Sequence, residues 1–371
     1  MTAAGRAAPD GPAAPAEAGN EAGNEFPAPT VSVIICAYTE ERFSDIAAAV
    51  GSIRAQDRPA AEVILVIDHN DALLRRARAA FPGSTVVPNE QPRGLSGARN
   101  TGVERATSDI VAFIDDDARA APDWLSKLTA PYADPNVVGV GGTVTADWVT
   151  GRPDWFPPEF DWVVGCSYVG LPTTVSEIRN PIGAAMSFRR RVYPLVGGFS
   201  DGIGRVGALP LGCEETEFYI RLRRALPGCS VLHVPGAVVH HRVPGARARW
   251  TYFQRRCFAE GISKAIVTDS VGATAALEAE RAYVRRTLPR AVARSLRARE
   301  DWPRAGAVVA GVAVTAAGYG RGLVALRTGG VARPNGSPGA ARTAAGPRAT
   351  LAAGVPHQLR KRSAPGRPSA R

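Results

Sequence analysis

From Val31 onward, short apolar runs alternate with stretches whose apolar residues recur at helical spacing. Val31 to Cys36, Glu62 to Ile67, Thr85 to Pro88 and Asp109 to Ile114 read as strands. Phe43 to Gln56, Asp71 to Phe81 and Gly94 to Ala106 read as the helices between them. Such alternation predicts a Rossmann-like α/β fold, a mostly parallel sheet with helices on both faces. Ligands of an open α/β sheet sit beyond the carboxyl ends of its strands. Three of those ends are polar: Tyr38-Thr39-Glu40, Asp68-His69-Asn70-Asp71 and Asp115-Asp116-Asp117. Their convergence predicts a nucleotide pocket.

Past Asp134 the alternation breaks. Val137 to Ala146 and Gly183 to Phe188 read as further strands. The block between them is rich in proline and aromatics, with Trp148, Trp155, Phe156, Phe160 and Trp162. Such a block either stacks on a sugar ring or apolar acceptor at a pocket rim, or forms a small satellite core. An amphipathic helix opens at Gly212-Cys213-Glu214-Glu215, and an apolar strand ends at His240-His241. Ala305 to Gly320 is apolar throughout, but its sixteen residues fall short of a membrane span. It reads as a helix packed on the domain or lying in a membrane interface.

The ends differ from the middle. Residues 1–30 hold almost no large apolar side chains and are expected to be disordered. Residues 331–371 carry eight basic residues and no acid, so a disordered basic tail supplies most of the formal net charge of +11. Such a tail attracts anionic lipid or nucleic acid without specificity, and no specific nucleic-acid partner is expected. The five cysteines show no CxxC spacing, which argues against thiolate–metal or disulfide frameworks and suits a reducing cytoplasm. A cytoplasmic location, with peripheral contact at the inner face of a membrane, is therefore expected.

The aspartate triplet is the strongest chemical signal. Alternation along a strand turns Asp115 and Asp117 the same way and Asp116 the other. Two same-facing carboxylates make a hard-oxygen site for a divalent metal, although a solvated acidic turn is the plainer alternative. The run Gly94 to Gly102 bears three glycines and Arg99 at a helix start. It receives phosphate or a base carbonyl, or else Gly97 and Gly102 merely allow close packing. Two adjacent acids at 214 and 215 suit a helix dipole, but one aimed into a cleft also suits deprotonation of a hydroxyl. His241 is either a satisfied structural histidine or a metal ligand.

Taken in order, these segments resemble the family-2 glycosyltransferases of GT-A fold. The resemblance rests on Val-Ser-Val-Ile-Ile-Cys-Ala-Tyr-Thr-Glu at 31, Val-Ile-Asp-His-Asn at 66, Gly-Leu-Ser-Gly-Ala-Arg-Asn-Thr-Gly at 94 and Ala-Phe-Ile-Asp-Asp-Asp at 112. Gly-Gly-Phe-Ser-Asp at 197 and Gly-Cys-Glu-Glu-Thr-Glu at 212 continue it, to about Lys264. It implies inverting transfer of a sugar from a nucleoside-diphosphate sugar to a hydroxyl acceptor, whether glycan, lipid or small molecule. Ala37, Tyr38, Glu40, Asp68, Arg99, Asp115 and Asp116 would belong to the donor side. Asp68 would read the base and Asp115 would lie near the ribose. Asp117 and His241 would hold Mg²⁺ or Mn²⁺. Glu215 would be the base, with Glu214 its rival, where the family usually has an aspartate. The stretch Tyr252 to Ala265 looks like a subgroup signature without a derivable role. A sugar nucleotidyltransferase and a noncatalytic nucleotide-sugar-binding scaffold are the alternatives.

The expected organisation is a disordered segment over 1–30, a GT-A domain over 31–270, a helical extension over 271–330 and the basic tail over 331–371. The domain divides into a nucleotide half, 31–134, and an acceptor and catalytic half, 135–270.

Overall fold

The chain alternates strand and helix from Val31 to Asp115, as its hydropathy requires. The computed structural model describes residues 28–201, 203–204 and 211–328. The disorder expected of 1–30 and 331–371 lies outside these residues, except for 28–30, which lead directly into the first strand. The first part of the sheet runs β1 (Val31–Ala37), α1 (Phe43–Arg54), β2 (Glu62–Ile67), α2 (Asp71–Ala80), β3 (Thr85–Pro88), α3 (Leu95–Arg105) and β4 (Ile110–Asp115). All three pairings among these strands are parallel, in the order β3-β2-β1-β4.

Beyond β4 the sheet becomes mixed. After β5 (Ala118–Ala120) and α4 (Trp124–Thr129) come β6 (Val137–Trp148), β7 (Ser176–Glu177), β8 (Ala185–Arg189) and α5 (Tyr193–Val196), then α6 (Glu214–Ala225) and β9 (Ser230–Val243). β8 runs antiparallel to both β4 and β6, while β9 lies parallel to β6. The far edge of β9 takes β7 along one part and β5 along another, both antiparallel. The β5–β9 pairing sets Ala118 opposite His241. This short strand was not legible in the sequence, yet it fastens the acidic turn against the histidine strand.

Helices cover both faces because β1, β2 and β4 are apolar on both sides, as internal parallel strands must be. Val33 and Ile35 face the α1 layer with Ile46, Val50 and Ile53. Ile34 faces the opposite layer with Ile64, Val66, Ala98 and Phe218. Burying each such side chain contributes roughly 1.5–3 kcal/mol. Helix α3 lies so close to β1 that a Cβ on Gly102 would stand 2.6 Å from Ile34 Cγ2. At least part of the glycine pattern of that segment is therefore explained by packing.

The described residues continue through four helices: α7 (Trp250–Val271), which closes the expected GT-A span, then α8 (Ala273–Ala282), α9 (Leu288–Ser295) and α10 (Trp302–Arg327) in the expected extension. The apolar stretch expected over 305–320 is the middle of this longer last helix. Residues Arg299–Arg327 are long and apolar enough to cross a membrane by length and composition. One face of α10 is nonetheless committed to protein. A Cβ on Gly318 would meet the Phe258 carbonyl oxygen at 2.1 Å, and one on Gly261 the Thr315 carbonyl oxygen at 2.1 Å. Small residues on both helices thus allow their backbones to touch.

Candidate active site

The carboxyl ends of β1, β2 and β4 open into one cavity of about 1250 Å³. Its floor is the acidic turn after β4. Asp115 and Asp117 both turn toward His241, whose Nε2 lies 3.9 Å from Asp115 Oδ2 and 3.0 Å from Asp117 Oδ1. One ligand atom from each of the three residues lies within 4.8 Å of the others. Asp116 turns instead to Arg42, whose Nη1 is 2.9 Å from Asp116 Oδ1 and 3.2 Å from Asp117 Oδ2. Arg247 Nη2 donates to the same Asp117 oxygen at 3.2 Å.

These neighbours divide the charge. Burial opposes ionisation of Asp117, but His241, Arg247 and Arg42 outweigh it and hold the carboxyl well below the usual range. Burial, aided by the Asp117 charge, pushes Asp116 up to about 7. His241 is buried, which alone would lower its pKa, yet the contact with Asp117 raises it to about 10. A cation taken up here would displace that proton.

Across the cavity, α6 is preceded by Cys213, a non-glycine residue with φ of 73° at its N-cap. That conformation is costly for a side-chain-bearing residue, and it directs the first turn of α6 into the cavity. Glu214 accepts from Arg99 Nη1 at 2.7 Å, and the Arg99 side chain is only 3% exposed. The other Glu214 oxygen, Oε2, is buried without a hydrogen-bond partner in the described structure. Arg99 Nη2 also reaches to 4.0 Å from Asp115 Oδ1, so one guanidinium joins the two carboxylate ends of the site. Glu215 has no ion pair among the described residues. Burial and the adjacent Glu214 charge raise it to about 7, against the pull of Arg99.

The remaining sequence-predicted residues fall as follows. Ala37 and Tyr38 line the cavity, and the Arg42 guanidinium stacks 5.5 Å from the Tyr38 ring centroid. Glu40 does not line it: Thr39 caps the short turn Glu40–Arg42, which leaves Glu40 exposed on its outside. Asp68 lines the cavity with both oxygens engaged. Asn89 donates to Oδ1 at 2.7 Å and the Gly94 N–H to Oδ2 at 3.0 Å, so Asp68 pins the turn that leads into α3. The aromatic block is not the separate satellite core expected: Phe156, Phe160 and Phe253 are buried in the same core as Val33, Ile35 and Trp124, with Trp148, Trp155 and Trp162 packed against it, because the block folds back on that face of the sheet. Only Phe160 and Trp162 of that block also reach the cavity wall.

Arg42 and Arg247 were not singled out in the sequence. Neither has a motif around it, and Arg247 is 130 residues from the carboxylate it binds. A second group also went unnoticed as a unit: Arg179, Arg256, Glu260, Lys264 and Glu280 line the cavity on the side of the helical extension.

The α/β sheet places an acidic turn and a glutamate without an ion pair on one cavity, and sequence comparison names the family. The model of the family described as "Glycosyl transferase family 2" matches residues 32–195. The chain is 36% identical over 241 residues to glucosyl-dolichyl phosphate glucuronosyltransferase of Haloferax volcanii, spanning 64% of this chain and 77% of that protein. It is 25% identical over 239 residues to the succinoglycan biosynthesis protein ExoM of Rhizobium meliloti, covering 62% and 72% of the two chains. The chain belongs to glycosyl transferase family 2, has the α/β GT-A fold and is an enzyme of glycosyl transfer. Among solved structures, a mannosyltransferase from Pyrobaculum calidifontis in complex with GDP-Man and Mn²⁺ aligns with a TM-score of 0.48 and 22% identity, covering 81% of this chain and 79% of that one.

Proposed function

We propose that the enzyme moves a sugar from a nucleoside-diphosphate sugar to an acceptor hydroxyl with inversion, with Glu215 as general base and Mg²⁺ or Mn²⁺ as cofactor. The observation that carries this reading is the unpaired Glu215 carboxyl, raised to about 7, in the same cavity as the Asp115–Asp117–His241 cluster. A base is most effective when its pKa lies near the working pH. Glu214 is a weaker candidate because its charge is already committed to Arg99 at 2.7 Å.

The donor set fits a divalent cation. Two carboxylates offer hard oxygens and one imidazole a borderline nitrogen, all within 4.8 Å of one another, and Arg42 and Arg247 occupy the other Asp117 oxygen. When bound, the cation supplies charge that stabilises the departing diphosphate. Asp117 and His241 are assigned to the metal, and Asp115 to the ribose side of the donor. The protein groups do the rest. Arg99 holds Glu214 ion-paired, so that Glu215 alone is available to take the acceptor proton. Attack opposite the leaving group then inverts the anomeric carbon.

Residues 31–134 serve the donor and residues 135–270 the acceptor and catalysis in this reading. The acceptor is assigned to the lipid-linked saccharides. Two observations support it: the cavity extends to an apolar wall of Val284, Leu288, Val312 and Tyr319, and the relative at 36% identity is named for a dolichyl phosphate substrate. A cytoplasmic protein touching the membrane through the exposed Trp302, Val309 and Val324 of α10 is consistent with that acceptor. The test is hydrolysis of a nucleotide-sugar panel with and without chelator. Chelator-sensitive release of nucleoside diphosphate supports transfer. Binding without turnover on any donor supports a scaffold, and pyrophosphate release from a nucleoside triphosphate supports a nucleotidyltransferase.

A further inference from the structure

The stretch Tyr252 to Ala265 lies on α7, and Tyr252, Arg256, Glu260 and Lys264 follow one another at intervals of four. That spacing places them on one face of the helix, and all four line the cavity. Phe253 and Cys257, one step along, enter the apolar core instead. A helix face turned inward ordinarily carries apolar residues; this one carries two bases and an acid.

Arg179 and Glu280 complete the group. Arg179 grips Glu280 with two nitrogens at 2.7 and 2.8 Å, and Lys264 Nζ lies 2.6 Å from Glu280 and 3.5 Å from Glu260. Arg256 Nη1 donates to Glu260 at 3.0 Å, and Cys213 Sγ to Glu260 at 3.2 Å. Each of the four carboxylate oxygens is occupied, and three cations face two acids, which leaves one positive charge in excess. The spare capacity is on the donor side. Arg256 Nη2 has no acceptor among the described residues and stands beside Gly212, 2.9 Å from where a Cβ there would lie. Gly212 is two residues before Glu214 in the turn that opens α6. Fastening α7 to α8 does not require such a group, because apolar packing of equal volume avoids the cost of desolvating five charges.

We propose that this α7 stripe is a subsite for a singly charged phosphate group on the acceptor, bound by Arg256 and Lys264, with the acceptor's apolar part against Leu288, Val312 and Tyr319. The proposal rests on the glycosyl-transfer reading of the same cavity. A planar guanidinium and an ammonium that flank Glu260 on one helix face both donate to phosphate oxygens, and the excess charge matches a monoanion. The apolar wall continues from the stripe within one cavity.

The experiment uses the full chain with UDP or GDP, whichever binds, held saturating with Mg²⁺ so that the donor side is filled. Octyl phosphate, octyl β-glucoside and inorganic phosphate are then titrated calorimetrically at about pH 5.5, below the second phosphate pKa of roughly 6, so that each phosphate carries about one charge. The expected result is octyl phosphate binding at least tenfold tighter than octyl glucoside, with inorganic phosphate competing more weakly. Arg256→Gln and Lys264→Met should each remove that preference, and Lys264→Arg should retain it. Equal affinity for the two octyl compounds, or a preference that survives both charge-removing variants, overturns the subsite. Equal affinity for octyl and inorganic phosphate overturns the apolar half and assigns the site to a free phosphate. If a charge-removing variant does not fold, the wild-type comparison and Lys264→Arg still decide. Failure of the wild-type protein to bind any nucleoside diphosphate counts against the glycosyl-transfer reading, and the octyl phosphate titration without nucleotide then judges the stripe separately.

Discussion

Replacing Glu215 with glutamine separates the two glutamates at the start of α6, because activity and stability should move in opposite directions. Removing a positioned base lowers turnover by about 10² to 10⁴-fold, which corresponds to roughly 3–5 kcal/mol of barrier. Stability responds through the proton. Burial and the Glu214 charge raise the Glu215 carboxyl from its ordinary value of 4.5 to about 7. Folding therefore favours its protonated form, and this contribution is fully present below about 4.5 and lost as pH rises through about 7. At pH 8 the ionised wild-type side chain opposes folding by on the order of 3 kcal/mol, a cost that glutamine removes. Glu215→Gln should thus be nearly inactive and more resistant to urea at pH 8, with the gain vanishing near pH 4.5. Glu214→Gln should instead be destabilised by roughly 3–5 kcal/mol, because it strips the buried Arg99 of its partner. Wild-type kcat/KM should also fall about tenfold per pH unit below 7. A Glu215→Gln variant with wild-type turnover, or one less stable than wild type at pH 8, refutes the reasoning.

Other perturbations test separate parts of the structure. Asp117→Ala should abolish Mn²⁺-dependent nucleotide binding, and affinities that are identical with and without Mn²⁺ in wild type and variant count against the metal site. Gly318→Val places side-chain atoms against the Phe258 carbonyl and should cost at least about 1–3 kcal/mol by overpacking; an unchanged urea midpoint would mean that α10 does not pack on α7. Asn89→Ala removes one of the two side-chain contacts to Asp68 Oδ1 and leaves the other, His69 Nδ1 at 2.8 Å; it should destabilise the turn before α3 by about 0.5–1.5 kcal/mol, read as faster amide exchange over residues 89–96. Vesicle flotation tests the outer face of α10: Trp302→Ser with Val309→Ser should reduce recovery on anionic vesicles, and unchanged recovery removes that face from membrane contact.

The fold of residues 31–115 was legible in the sequence because its signals are local. β2 and β3 fall on the expected residues, and β1 and β4 differ by one residue at their ends. Apolar runs of strand length, bounded by turn residues, specify parallel strands whatever lies around them. The acidic turn was legible as a run of three acids at a strand end, although β4 stops at Asp115 and the turn after it, not strand alternation, brings Asp117 to the same side. The reversal of sheet direction at β8 and the pairing of three-residue β5 with β9 were not legible. A strand's direction and partner depend on the path of the chain through space, and Ala118–Ala120 carries no hydropathic signature.

Sequence by itself determined the element types of the first half, the family resemblance and a set of acids and bases without mutual geometry. Tertiary structure decided which of them meet. Arg99 reaches Glu214 across 115 residues and Arg247 reaches Asp117 across 130, separations at which no periodicity links one residue to another. Those long-range pairs set the electrostatics. Arg99 occupies Glu214 and leaves Glu215 unpaired, a distinction that two identical adjacent side chains cannot carry in sequence. The same holds for the α7 stripe, whose spacing of four was visible, but whose position on a cavity wall depended on how α7, α8 and α10 pack.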